Sequence, residues 1–339
     1  MEGLNVAIAG ATGAVGEVLC ELLEQREFPI GSLHLLASSR SAGKRVWFKD
    51  HYVRIEELDE FDFSDTQIAL FSAGSSVSKE HAPRAAEAGA VVIDNTSQFR
   101  NEDAIPLVVP EVNAHRIKIG LDKGIIANPN CSTIQMVVAL KPIYDAVGIE
   151  RINVATYQAV SGAGSRAIRE LAVQTANILN AKDFEPEVEP VQIAFNAIPQ
   201  IADFKENGYT LEEMKMVWET QKIFEDPSIK VNPTCVRIPV FFGHSEAVHI
   251  ETREKISAAD AQELLREDGN VELIDDRIPG GYPTAVLHAA GKDGVYVGRV
   301  REDISHDRGL NLWIVSDNVR KGAALNSIQI AENLIPLIA

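Results

Sequence analysis

A chain of 339 residues is longer than one hydrophobic core usually organises, so two domains are expected. Its 32 Lys+Arg against 49 Asp+Glu give a formal charge of −17, which argues against nucleic acid or an anionic membrane as the main partner. Hydrophobic residues at 45% and charged residues at 24% are ordinary for a soluble globular protein, and no apolar run approaches the length of a bilayer span.

In chain order, LNVAIAG (4–10) reads as a buried strand and GEVLCELLEQ (16–25) as an amphipathic helix. Short apolar runs follow at LHLLAS (33–38), QIALFSAG (67–74), VVIDN (91–95) and GIIANP (124–129), with a helical pattern at HAPRAAEAGA (81–90). Apolar runs separated by helices predict a parallel sheet covered on both faces, a doubly wound α/β domain.

Past residue 150 the character changes. RINVATYQAVSG (151–162), TCVRIPVFFGHSEAVHIETREKI (234–256), TAVLHAAG (284–291), VYVGRVRED (295–303) and LNLWIVSDN (310–318) are β-rich and partly alternating. Such strands suit an antiparallel or mixed sheet with one covered face. Helices are expected near 163–180, 210–225 and 257–268, the last with Ser257 as its N-cap. The tail GAALNSIQIAENLIPLI has helical spacing and is expected to pack back on the first domain.

The N-terminus lacks a basic segment and turns into glycines too soon for a signal peptide. Three widely spaced cysteines, at 20, 131 and 235, form neither a disulfide framework nor a zinc pattern. A reducing cytoplasm is the expected location, and no metal is expected.

Gly10, Gly13 and Gly16 fall between the first strand and the first helix, spaced GxxGxxG. Without side chains there, backbone N–H groups at a helix start can approach a pyrophosphate. The second strand ends in LLASSRSAGK, with no carboxylate to bond a ribose hydroxyl. Ser38, Ser39, Arg40 and Ser41 offer hydroxyls and a guanidinium instead, which suits a 2′-phosphate and hence NADP(H).

Cys131 follows Asn-Pro-Asn and precedes an apolar run. A helix beginning there would present unpaired N–H groups that favour a thiolate, with Asn130 able to cap it or donate to an anion. Cys20, on a helix's apolar face, and Cys235, within a strand, read as structural thiols. A nucleophilic sulfur beside a nicotinamide suggests aldehyde oxidation through a thioester, or its reverse. Among eight histidines, His244 stands out after Gly243 as the acid/base, while His249 could be a strand-face residue. Arg237, in an apolar β segment, must meet a carboxylate, and sequence leaves open whether it is the protein's or a substrate's.

The motifs GATGAVG, SSRSAGK, DNTSQFR, VPEVN, NPNCST, TYQAVSGAG, EEMKMVWETQKI, TCVRIPVFFGHSEAV and SDNVRKGAALN run from end to end. With them the chain resembles the aspartate-β-semialdehyde dehydrogenases of the bacterial type. The resemblance implies a Rossmann-like NADP-binding domain (1–130 with 318–339) and an α+β catalytic and dimerisation domain with a mixed sheet (131–317). It implies a homodimer that reduces L-aspartyl-4-phosphate with NADPH to the semialdehyde and phosphate, toward lysine, threonine, methionine and diaminopimelate.

Carried over by position, the resemblance makes Cys131 the acylated nucleophile, Gln158 a substrate-positioning amide and His244 the acid/base. Arg237 would bind the α-carboxylate and Glu212 the amino group, although Glu213 stands beside it. Arg100, Lys215 and Asn130 would bind phosphate. Gly10, Thr12, Gly13, Ala14 and Val15 would line the nucleotide phosphates, and Ser38, Arg40 and Ser41 the 2′-phosphate. Ser161, Gly162 and Asn318 would lie on the nicotinamide side. A related acyl-phosphate reductase, such as one acting on N-acetylglutamyl phosphate, and a catalytically silent NADP-binding sensor are the alternatives.

Overall fold

A computed structural model of the chain describes residues 3–338. The chain forms two compact units, 1–130 with 323–339 and 131–322. No helix among the described residues is long and apolar enough to cross a membrane.

The first unit contains β1 (Leu4–Ala9), α1 (Ala14–Gln25), β2 (Ile30–Ala37), β3 (Arg45–Phe48), β4 (His51–Glu57), β5 (Ile68–Phe71), α2 (Ser75–Glu87), β6 (Val91–Asp94), α3 (Pro110–Asn113), α4 (Ile117–Lys123) and β7 (Ile125–Ala127). Its sheet runs β3-β4-β2-β1-β5-β6-β7, and only β3 is antiparallel to its neighbour. Strands β5 and β6 are buried throughout, as a sheet covered on both faces requires. Leu19, Leu22 and Leu23 of α1 share one core with Ile328, Ala331 and Leu334 of the C-terminal helix (Leu325–Ile338). That helix packs on α1, α3 and α4, as its apolar spacing led us to expect.

Strand order reverses at β1, which lies between β2 and β5, so a crevice opens at the carboxyl ends of β1 and β5. The glycine turn lies there. Gly10 has φ +91°, and a Cβ on it would sit 2.9 Å from the Ala73 nitrogen. A Cβ on Gly16 would collide with the Gly10 carbonyl oxygen. Gly10 and Gly16 are therefore glycines by steric necessity.

Two features of this unit escaped the periodicity argument. Helix α2 starts at Ser75, not near 81, because Gly74 (φ +101°) turns the chain into it and the polar run SSVSKE has no apolar period. The β3–β4 hairpin is masked by charged residues, and its Trp47 and Tyr52 rings meet on an exposed face, 5.0 Å apart.

The second unit contains α5 (Cys131–Val147), β8 (Ile149–Gln158), α6 (Ser165–Leu179), α7 (Leu211–Ile223), β9 (Lys230–Arg237), β10 (His244–Thr252), α8 (Ala258–Glu267), β11 (Val271–Leu273), β12 (Val295–Glu302) and β13 (Gly309–Ser316). Its sheet, β11-β12-β13-β10-β8-β9, is mixed: β8/β9 and β11/β12 pair in parallel, the others antiparallel. Helices α5, α7 and α8 cover one face. Ser257 caps α8 as its sequence suggested, its hydroxyl accepting the Asp260 N–H at 3.1 Å. On the other face Tyr157 and Trp313 pack ring against ring, 5.5 Å apart.

Three expectations need correction here. The segment 234–256 is not one β stretch: β9 stops at Arg237 and β10 starts at His244, with Gly243 (φ +89°) re-entering the sheet. The segment 284–291 forms a π-helical turn over Ala285–Ala289, closed by the Thr284 N–H on His288 Nδ1 at 3.0 Å. Its Val286 and Leu287 are exposed, so the β-forming residues have no sheet to join. Residues 318–322 pack with the second unit, because Asn318 bonds to Ser161 and to the Gly243 N–H.

Candidate active site

The carboxyl end of β8 and the start of β10 bring the first functional groups together. Thr156 Oγ1 donates to Gln158 Oε1 at 3.0 Å, which fixes the amide and turns Nε2 toward Glu212 Oε1 (3.2 Å) and His244 Nε2 (3.4 Å). His244 is fully buried, and its Nδ1 accepts the backbone N–H of Ala159 at 3.0 Å. Burial, then the nearby Arg237 charge, lowers its pKa to about 3. The ring is neutral near pH 7, and with Nδ1 accepting, its hydrogen sits on Nε2. Two donors, Gln158 Nε2 and His244 Nε2, thus converge and call for an acceptor.

Arg237 ends β9 beside them. Its Nε meets Glu189 Oε1 at 3.0 Å and its Nη1 donates to the Ala159 carbonyl at 3.0 Å. One residue, Ala159, therefore orients Arg237 through its carbonyl and His244 through its N–H. Gly162 leaves space alongside: a Cβ there would sit 3.1 Å from Arg237 Nη1 and 3.5 Å from His244 Nε2.

Helix α7 separates the two neighbouring glutamates. Glu213 completes a capping box with Thr210, and its other oxygen accepts the Cys235 N–H at 3.0 Å. Glu212 points instead to Gln158 and to Lys215 Nζ, the latter at 3.0 Å, with both charged partners largely buried.

Cys131 opens α5 and is half-buried, whereas Cys20 and Cys235 are buried. Burial, then Glu17, pushes the Cys20 thiol up to about 12, and burial also raises Cys235. Gly322 lies against the nucleophile candidate, since a Cβ there would sit 2.8 Å from Cys131 Cβ. Ser161, Gly162 and Asn318 share this unit. Asn318 Oδ1 accepts the Gly243 N–H at 3.0 Å and so holds the residue that precedes His244.

The remaining candidates belong to the first unit. Arg100 is buried and donates to the Asn95 carbonyl at 2.7 Å, and Asn130 is buried. Thr12 and Gly13 are exposed while Ala14 and Val15 are half-buried at the start of α1. Ser38 and Arg40 are exposed just past β2, where the Ser41 N–H closes a turn on the Ser38 carbonyl at 2.8 Å.

Sequence reasoning missed Glu189, Thr156 and the Ala159 peptide. Glu189 lies in the acidic stretch FEPEVEP, where nothing marks one glutamate from its neighbours. Thr156 carried a signal: it sits two residues before Gln158 and so shares its strand face.

Residues 5–119 match the family model described as semialdehyde dehydrogenase, NAD binding domain, and residues 140–321 the one described as semialdehyde dehydrogenase, dimerisation domain. A Legionella pneumophila protein named aspartate-semialdehyde dehydrogenase is 61% identical over 98% of this chain and 95% of its own length. Aspartate-semialdehyde dehydrogenase 2 of Vibrio cholerae is 62% identical over 98% and 97%. The crystal structure of the Vibrio cholerae enzyme II complexed with ASA superposes with a TM-score of 0.97, covering 99% of each chain at 61% identity. A Candida albicans aspartate semialdehyde dehydrogenase with NADP gives 0.76 at 27% identity, over 99% of this chain and 100% of its own.

Removing Glu189 should strand the buried Arg237 charge. In urea denaturation Glu189→Leu is expected to lose about 3–5 kcal/mol, whereas Glu187→Leu, with an exposed side chain, should change stability by less than ~0.5 kcal/mol. Equal losses in the two variants would show that Arg237 does not depend on Glu189.

Proposed function

We propose a specific reaction for this chain, which belongs to the aspartate-semialdehyde dehydrogenase family: NADPH-dependent, reversible reduction of L-aspartyl-4-phosphate to aspartate 4-semialdehyde and phosphate, through an acyl thioester on Cys131. The observation that carries it is the convergence of two N–H donors, Gln158 Nε2 and His244 Nε2, between an arginine and a glutamate. An acyl carbon under nucleophilic attack needs such donors for its developing oxyanion.

Opposite charges then select the substrate. The Arg237 guanidinium, already oriented by Glu189 and Ala159, has further N–H groups for an α-carboxylate. Glu212 supplies the negative end for an ammonium group. An N-acylated substrate would bring no charge to Glu212, which disfavours the N-acetylglutamyl alternative. Arg100, Lys215 and Asn130 serve the phosphate. Such two-point positioning can supply roughly 7–11 kcal/mol of the barrier.

Cys131 attacks as thiolate, a form favoured at a helix start. Its sulfur takes the acyl group as phosphate leaves. When bound, NADPH supplies the hydride that reduces the acyl carbon. The tetrahedral oxyanion, held by His244 and Gln158, then collapses and expels the Cys131 sulfur. No proton need pass to the carbonyl oxygen in this direction, so a neutral His244 acts as a hydrogen-bond donor. The sequence assigned it the acid/base role.

The glycine turn fits a dinucleotide, because Gly10 and Gly16 leave no room for side chains and the N–H groups of α1's first turn remain available. Gly10, Thr12, Gly13, Ala14 and Val15 would hold the phosphates, and Ser161, Gly162 and Asn318 would line the nicotinamide side. Ser38, Arg40 and Ser41 suit NADP over NAD. The open sheet face around Tyr157 and Trp313 suits a homodimer contact. In metabolism the enzyme serves the biosynthesis of amino acids derived from aspartate.

Cys131→Ala should abolish turnover of aspartate semialdehyde with phosphate and NADP while nucleotide binding, read by fluorescence titration, persists. Substantial residual turnover would refute the thioester route. Arg40→Ala should raise KM for NADPH by about tenfold or more, the scale of a charge-assisted contact, and leave KM for NADH nearly unchanged. Equal effects on both nucleotides would make Arg40 a mere loop cation.

A further inference from the structure

Glu246 and Gln135 have no part in the chemistry described so far, yet both are fully buried in the second unit. Glu246 follows His244 by two residues on β10 and so shares its face of the sheet. Gln135 follows Cys131 by four residues on α5 and so lies one turn below it on the same helix face. Helix α5 packs on β10. In register, Glu246 stands opposite Thr156, the residue that fixes Gln158.

The Glu246 carboxyl faces the Gln135 amide without a well-aligned hydrogen bond. Neither side chain has another polar partner among the described residues. Further along the same face of β10 come Val248 and Ile250, both buried. An apolar residue at 246 would continue that pattern at lower desolvation cost. The polar pair is thus unfavourable for packing alone, and it sits between the two elements that begin at Cys131 and His244.

We propose that Glu246 is a positioning residue for the reaction, its side chain meeting Gln135 so as to set the strand that starts at His244 against the helix that starts at Cys131; the inference rests on the thioester reading above. Burial pushes the Glu246 carboxyl well above the usual carboxylate range, and the Gln135 amide offsets part of that. When protonated, the carboxyl has a hydrogen to share with the Gln135 amide oxygen. Thr156, which stands across from Glu246 in the sheet register, is uncharged.

The full-length enzyme tests this with Glu246→Leu, Gln135→Leu, the double variant and Glu246→Gln. Glu246→Leu should lower kcat by about 10- to 100-fold, the scale of a misplaced reacting group, with KM for NADP unchanged and Tm equal to wild type or higher. Gln135→Leu should lose a similar factor, and the double variant no more than the worse single one. Glu246→Gln, which can still bond an amide, should stay within about threefold of wild type in kcat and in the rate of Cys131 alkylation by iodoacetamide. Wild-type kcat in Glu246→Leu, or a double variant losing the product of the single factors, overturns the proposal. Should Glu246→Leu not fold, Gln135→Leu decides alone, and wild-type kcat there overturns it equally. A wild-type enzyme without activity, or an active Cys131→Ala, would count against the thioester reading instead.

Discussion

The Ala159 N–H bond to His244 Nδ1 is the contact on which the rest of the site depends. It forces the hydrogen of a neutral imidazole onto Nε2, beside the Gln158 amide nitrogen. The carbonyl of the same residue holds the Arg237 guanidinium. A single peptide group thus sets the positions of the His244 imidazole and the Arg237 guanidinium relative to each other. Asn318 reinforces it from the other side through the Gly243 N–H, and Gly162 keeps the space between the two side chains clear.

Burial makes this arrangement costly and therefore selective. Isolated charges would not survive there, so Arg237 is matched with Glu189 and Lys215 with Glu212. His244 avoids the cost by staying uncharged, as its depressed pKa requires. That neutrality suits the chemistry. The proposed reduction of a thioester to an aldehyde needs a donor that stabilises an oxyanion and then lets it collapse, and an imidazolium is not required. In a protein with a net charge of −17, the buried Arg237 and the largely buried Lys215 are the second unit's cations in the site proposed for an anionic substrate.

Much of this was legible in the residues. The GxxGxxG turn, the missing carboxylate after β2, the helix opening at Cys131 and the capped helix α8 follow from local chemistry. The motif resemblance correctly gave the family and the two-part architecture. What escaped depends on long-range contact. Glu189 meets Arg237 from 48 positions away, in a run of glutamates that reads as solvated surface. Which of Glu212 and Glu213 faces Gln158 could be read only from the fold, where the capping box engages Glu213 and leaves Glu212 toward Gln158. TAVLHAAG reads as β because propensity cannot know that no strand lies beside it. The Glu246–Gln135 pair was invisible because i+2 on a strand and i+4 on a helix acquire meaning only once the two elements pack together.

The protonation state of His244 is the claim that can be tested most directly. Long-range nitrogen–proton NMR of the enzyme labelled with 15N-histidine reports which ring nitrogen carries the hydrogen. The account predicts a neutral ring with hydrogen on Nε2, unchanged from pH 8 down to about 5, since its pKa lies near 3. A ring that titrates near its ordinary value, or one carrying its hydrogen on Nδ1, would contradict it.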